Sequence, residues 1–197
     1  MTQLLDALAI SFDLPILDWI QAHKQCGFLD FIMPIITMFG DGGVFWIAWA
    51  VLLLFFRKHR STGAAMGVAL LMGLVICNMI LKPIVGRIRP FDFQELHFQK
   101  EIIMLLDKST IHDFSFPSGH TIASFEASVV LMLRNKKMGI PALILAVLVA
   151  FSRLYLYVHY PSDVIVSMIL GTCFAFLANA IVNRVEPKLT AKGKFAK

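Results

Sequence analysis

The chain has 197 residues, 58% of them hydrophobic and 16% charged, with a mean hydropathy of +0.74. That mix excludes an ordinary soluble globular domain and puts the chain in a lipid bilayer. The net charge of +5 does not point to nucleic acid, because the basic residues gather at the ends of apolar runs: Arg57-Lys58-His59-Arg60, Arg134-Asn135-Lys136-Lys137, and Arg184 through Lys197.

In chain order, Leu14–His23 and Phe28–Phe39 read as short amphipathic or interfacial helices. Gly27 and the Gly40-Asp41-Gly42-Gly43 cluster break them from each other and from the first apolar span. The opening residues lack the basic start, apolar stretch and small-residue cleavage site of a secretory signal, so the whole sequence is expected to be mature protein. Uncharged runs then predict spans at Gly42–Phe56, Ser61–Leu81, Met138–Ser152 and Val164–Asn183. A further span, Phe114–Leu133, is interrupted only by His120 and Glu126. The expected fold is an all-α membrane bundle of about five spans in a single domain over 1–197. Within it, 1–41 form interfacial helices, 42–184 the bundle and 185–197 a basic tail.

Cys26, Cys77 and Cys173 have no metal or redox spacing, and two lie inside apolar runs, so no disulfide framework is implied. Basic loops favour the cytoplasm, which turns spans one, three and five inward and two and four outward. The Lys82–Pro117 loop, the start of span three and the Val158–Ser162 connection then share the outer face. Function must come from that face.

Three polar stretches meet there. In "KPIVGRIRP", Lys82 and Arg89 lie seven residues apart, close to two helical turns, while Pro83 and Pro90 predict a kinked helix end. In "PSGH", Pro117–His120, Gly119 allows close backbone approach and the helix start beside it favours an anion. In "SRLYLYVHYPSD", Ser152–Asp163, Arg153 sits near the end of span four, His159 in the turn, and Asp163 in the first turn of span five after Pro161. A lone arginine at a span end is usually a snorkelling anchor. Three cations, two histidines and a carboxylate on one face argue for a functional site.

In order, these stretches resemble the signature of the type 2 phosphatidic acid phosphatase family, a branch of the superfamily that includes vanadium haloperoxidases and bacterial acid phosphatases. They read K-x6-R-P at Lys82–Pro90, P-S-G-H at Pro117–His120, and S-R-x5-H-x3-D at Ser152–Asp163. The resemblance implies that His159 is the nucleophile, forming a phosphohistidine, with Asp163 holding its other ring nitrogen. It makes His120 the acid for the leaving group and then the base for water. Lys82, Arg89 and Arg153 would neutralise the phosphoryl oxygens, with the Ser118 hydroxyl and Gly119 amide adding hydrogen bonds. Three fixed cations make a metal electrostatically unnecessary, so no cofactor is expected.

The implied substrate is a membrane lipid phosphate at the outer interface. The short chain and compact layout resemble bacterial members that recycle undecaprenyl diphosphate, with phosphatidylglycerophosphate or phosphatidate as the alternative. A transporter is a reading of a different class, disfavoured because the ionisable residues cluster at one end of the spans without a repeat. A haloperoxidase is disfavoured by the hydropathy. Among the remaining polar residues, Arg87 and Lys108 are candidates for a diphosphate, with Arg87 expected instead to pair with Asp92 or Glu95. His97, His112 and Asp113 lie in the polar 91–115 loop, either a substrate lid or a solvated connection. Glu126 is expected to be neutral or hydrogen-bonded within the bundle, with Asn78 as partner. Tyr155, Tyr157 and Tyr160 suggest an interfacial belt.

Overall fold

The computed structural model describes residues 2–102 and 104–191, and among them the secondary structure is entirely helical. The end of the expected basic tail, residues 192–197, lies outside the described residues. α1 (Thr2–Leu8) runs through a π-helical turn, Ala9–Asp13, into α2 (Leu14–Lys24), and α3 (Gly27–Met38) comes next. α4 (Val44–Phe55) leads to α5 (Arg60–Met72), which continues as a π-helix over Gly73–Leu81 into the single turn α6 (Lys82–Val85). α7 (Pro90–Phe98), α8 (Gly119–Arg134), α9 (Lys136–Tyr155) and α10 (Pro161–Ala191) complete the order.

Local sequence sets these boundaries. Proline occupies the first turn of α7 and α10, where its missing N–H costs nothing. The Asn135 side chain accepts from the Lys137 N–H, 3.1 Å away, and caps α9. Gly86 closes α6 in the left-handed region at φ 60°, a conformation glycine adopts without strain.

Among the described residues, three stretches are long and apolar enough to cross a bilayer: Arg57–Phe98, Lys136–Tyr155 and Pro161–Glu186. A fourth crossing is available if Gly27–Met38 and Asp41–Phe55, bent by 41° at the glycine cluster, act as one broken span. α8, at 16 residues, is about 24 Å long and falls short of that length. It runs through the middle of the bundle, against α4, α5, α9 and α10.

Small side chains let these helices approach closely. Ala50, Ala65, Ala69, Ala127, Ala142, Ala175 and Ala178 are all buried around Trp46, whose Nε1 donates to Ser124 Oγ at 3.0 Å. Large apolar residues such as Phe55, Ile144, Ile169 and Phe176 are exposed, as a lipid-facing surface requires. At the end opposite the site, Arg134 of α8 donates to Ser61 of α5 and to Asn179 and Asn183 of α10, so the basic loops collect there.

A second core corrects one expectation. Leu14, Leu17, Ile20 and Met33 from the N-terminal helices pack with Phe91, Phe93 and the α9–α10 turn. Tyr155, Tyr157 and Tyr160 are buried in this cluster instead of forming an interfacial belt. Two of their hydroxyls have carboxylate partners on the covering helices: Tyr155 donates to Asp30 and Tyr157 to Asp18. The N-terminal helices therefore roof the turn that carries His159.

Candidate active site

Lys82, Arg89, Asp113, Gly119, His120, Arg153 and His159 all line one cavity of about 1020 Å³. It begins between the ends of α6, α8 and α9 and continues along α4 and α5, past Ala50, Leu54, Gly63, Gly67 and Leu70. Residues from all three polar stretches thus meet in one place.

The helical line from Lys82 to Arg89 does not persist, because Gly86 ends α6. The chain nevertheless returns both cations to one carboxylate, that of Asp113. Arg89 also donates from Nε to the Asp113 carbonyl at 3.0 Å and from Nη1 to the Val158 carbonyl at 2.7 Å. Its Nη1 lies 3.3 Å from His159 Nε2. A guanidinium has only donors, so Nε2 carries the lone pair and Nδ1 the proton.

His159 Nδ1 lies 3.7 Å from Asp163 Oδ2, with both groups buried. Ser115 sits between them: its hydroxyl donates to Asp163 Oδ2 and lies 3.4 Å from Nδ1. The Tyr160 N–H donates to the same carboxylate oxygen at 3.1 Å. The other oxygen, Oδ1, accepts from Arg87 Nη1 at 2.5 Å. Burial, then the positive charges of Arg89, Arg153 and Lys82 and the proximity of His120, hold the His159 imidazole well below its ordinary range.

His120 is the second residue of α8, and its Nε2 is 2.6 Å from Asp41 Oδ1. A carboxylate accepts, so Nε2 carries a proton and Nδ1 is left for chemistry. Gly40 permits this arrangement, because a Cβ there would come within 2.7 Å of His120 Cδ2. Arg153 donates from Nη1 to Thr37 Oγ1 at 2.6 Å, while its buried Nε has no hydrogen-bond partner among the described residues. An unmatched guanidinium donor beside the cavity suits an arriving anion.

Ser118 has partners beyond those the resemblance implies. Its hydroxyl caps α8, accepting from Thr121 Oγ1 at 3.0 Å, and its N–H donates to Ser167 Oγ at 2.8 Å. Gly119 lines the cavity and Ser118 supports the helix start behind it. Arg87 departs from expectation. It is buried and pairs with Asp13 and Asp163, leaving Lys108 to meet Asp92 and Glu95 on the surface. Glu126 does not reach Asn78: its carboxyl lies against the Gly73 backbone, and Asn78 packs on Gly119. Sequence alone does not single out Asp13, Asp41 and Ser115 as site residues. Only the placement of Asp41, a charge among three glycines, gives any signal.

Residues 62–187 match the model of the PAP2 superfamily. An undecaprenyl-diphosphatase of Sulfolobus acidocaldarius is 32% identical over 86% of this chain and 81% of its own length. The Bacillus subtilis undecaprenyl-diphosphatase BcrC is also 32% identical, over 76% and 72%. Among solved structures, a transmembrane PAP2-type phosphatidylglycerolphosphate phosphatase from Bacillus subtilis superposes with a TM-score of 0.64 at 26% identity, covering 82% of this chain and 80% of that one. LpxE of Aquifex aeolicus shares the fold, with a TM-score of 0.70 at 22% identity over 85% and 94%. With its signature residues gathered around one cavity in a membrane bundle, the chain belongs to the PAP2 superfamily and is a lipid phosphatase.

Proposed function

We propose that the protein hydrolyses a polyprenyl diphosphate, undecaprenyl diphosphate above all, to the monophosphate through a phosphohistidine. The observation that carries this reading is the joining of a cationic pocket to a long groove lined by apolar residues and glycines. The pocket suits a phosphoryl group and the groove an extended hydrocarbon chain. The two undecaprenyl-diphosphatase relatives support the choice of tail.

Lys82, Arg89 and Arg153 surround the transferring phosphoryl group and stabilise the charge that spreads over its oxygens. The Gly119 amide adds a donor at the helix start. His159 Nε2 attacks phosphorus; a P–N bond forms as the bond to the leaving phosphate oxygen breaks. Asp163, with Ser115, holds Nδ1–H and stabilises the charge that grows on the ring. His120, once it holds a proton on each ring nitrogen in the complex with the anionic substrate, delivers the Nδ1 proton to the departing oxygen and is left neutral; Nδ1 then takes a proton from water as that water attacks the phosphohistidine. Cleavage of the P–N bond releases inorganic phosphate and restores His159. Asp41 fixes the ring of His120 throughout.

The cationic pocket supplies the charge a divalent metal would otherwise provide, so turnover is expected in chelator. Basic loops at the far end favour the cytoplasm and so support a pocket at the outer interface and a C-terminus inside. On this reading all of 1–197 serves one phosphatase unit.

Likeness to the phosphatidylglycerolphosphate phosphatase favours a second reading, in which the substrate is a glycerophospholipid monophosphate. Comparison of kcat/KM for purified protein on undecaprenyl diphosphate, phosphatidylglycerophosphate and phosphatidate, each with and without chelator, decides between them. Preference for the diphosphate upholds the first reading, whereas a glycerolipid preference replaces it. A requirement for added magnesium removes the metal-free mechanism.

A further inference from the structure

Asp13 comes from the π-helical turn between α1 and α2, outside the segment matched by the family model, yet it is fully buried beneath the site. Its Oδ2 accepts from Arg87 Nη2 at 2.7 Å and from the Ser162 hydroxyl at 2.7 Å, and its Oδ1 accepts from the Ser162 N–H at 2.8 Å. Arg87 uses its other terminal nitrogen on Asp163 at 2.5 Å and on Ser162 Oγ at 2.8 Å, and its Cζ lies over the Tyr160 ring, 3.7 Å from the ring centroid. Three charges are thus sealed into one cluster, all with side chains at most 4% exposed.

The sign of that cluster matters for His159. Arg87 and Asp163 alone would form a neutral pair, and a guanidinium bonded to Asp163 would compete with the imidazole for its charge. Asp13 adds a second carboxylate to the same guanidinium, so the cluster carries one net negative charge. We propose that Asp13 is a positioning residue for phosphoryl transfer, balancing Arg87 so that Asp163 keeps the charge with which it orients and supports His159. Asp13 is the last residue of the π-helical turn and, with Ala9, one of its two buried residues. The inference rests on the proposed roles of His159 and Asp163.

Neutralisation tests it. Outer partners of an oriented histidine typically matter by about 10–100-fold, so Asp13→Asn is expected to lower kcat at least about tenfold with KM changed less than about twofold. The diagnostic variant is Asp13→Asn/Arg87→Gln, which removes both charges and restores the single negative charge on Asp163. It is expected to turn over faster than Asp13→Asn alone. A merely structural staple predicts the reverse, because two buried partners are then altered. Equal or slower turnover by the double variant overturns the inference, as does an unchanged kcat in Asp13→Asn. If Asp13→Asn alone fails to fold, the double variant is compared with Arg87→Gln. That single substitution leaves two buried carboxylates facing one another without a cation. The double variant is then expected to be the faster, and equal rates overturn the inference. Asp163→Asn separates this inference from the site assignment. If Asp163→Asn is inactive while Asp13→Asn is fully active, only the inference fails; if Asp163→Asn is fully active, the assigned role of Asp163 fails with it.

Discussion

Asp113 places its carboxylate between Lys82 and Arg89 and gives one oxygen to each. This acidic residue from the loop before α8 therefore rests where the phosphoryl oxygens are expected to bind, with its side chain still half exposed to solvent. A substrate must displace it, and a site that is competent only part of the time binds with proportionally lower apparent affinity. Asp113→Ala is expected to lower KM about three- to tenfold and to tighten product inhibition by inorganic phosphate in parallel. Steady-state kinetics in detergent checks this. A raised KM would instead show that Asp113 holds the two cations in register for the substrate.

The latch has a definite pH range. Burial pushes the Asp113 carboxyl up, but the hydrogen bonds and charges of Lys82 and Arg89 prevail and hold it down at about 2. A depressed carboxylate pKa means that the contact is complete above the ordinary value near 4 and is lost only as pH falls towards 2. The KM advantage of Asp113→Ala is therefore expected to be equal at pH 5 and pH 7. If the advantage vanished at pH 5, the latch would have to open by protonation at a much higher pH than its two cations allow.

His159 gives a pH dependence of the opposite origin. Burial and then Arg89, Arg153 and Lys82 keep its proton off in the folded protein, whereas the unfolded chain takes one up below about pH 6.5. Where the unfolded state binds more protons, stability rises with pH. The phosphate-free protein is expected to melt at lower temperature as pH falls from 7 to 5, and His159→Gln should flatten that slope. Thermal unfolding in one detergent at matched ionic strength is the measurement. A slope unchanged by His159→Gln would assign the acid sensitivity to other groups.

The role proposed for His120 predicts a dependence on the leaving group. A general acid contributes about 10²–10⁴-fold when the departing oxygen is basic and much less when it is a good leaving group. His120→Ala is expected to lose that much on a lipid alcohol phosphate and far less in the burst of p-nitrophenol from p-nitrophenyl phosphate. Asp41→Asn should show the same pattern at smaller amplitude, because it acts through His120. Gly40→Ala, which crowds the ring, should do likewise. Equal losses on both substrates would move His120 from proton transfer to phosphate binding.

How far these relationships can be read in the sequence depends on their range. Lys82, Arg89, His120, Arg153 and His159 stand at helix ends beside prolines and a glycine, where local spacing already indicates an ionic site, and the structure brings all five to one cavity. The helix caps and span boundaries are likewise local. Long-range pairing is what the sequence does not disclose. Arg87 has acidic neighbours five and eight residues away, yet it pairs with Asp13 and Asp163, 74 and 76 positions distant on either side. The three tyrosines look interfacial by composition, and only the docking of α2 and α3 over the α9–α10 turn buries them. Burial selects partners by topology, and no local pattern carries that information.

Glu126 provides the last test, one of stability. Its side chain is 1% exposed, its Oε1 has no hydrogen-bond partner among the described residues, and it lines the groove beyond the cationic pocket. A buried acceptor left unmatched costs about 1–3 kcal/mol, whereas an apolar side chain of similar size removes that cost. Glu126→Leu is therefore expected to raise the melting temperature of the substrate-free protein, with Glu126→Gln giving a smaller change because it keeps a polar tip. Ala127, Val130 and Leu131 on the same helix already pack in an apolar core, so an aliphatic replacement has compatible surroundings. If Glu126→Leu melts lower than the wild type, the carboxyl has a stabilising partner within the bundle, most simply the Gly73 backbone it rests against, and the groove wall depends on that contact.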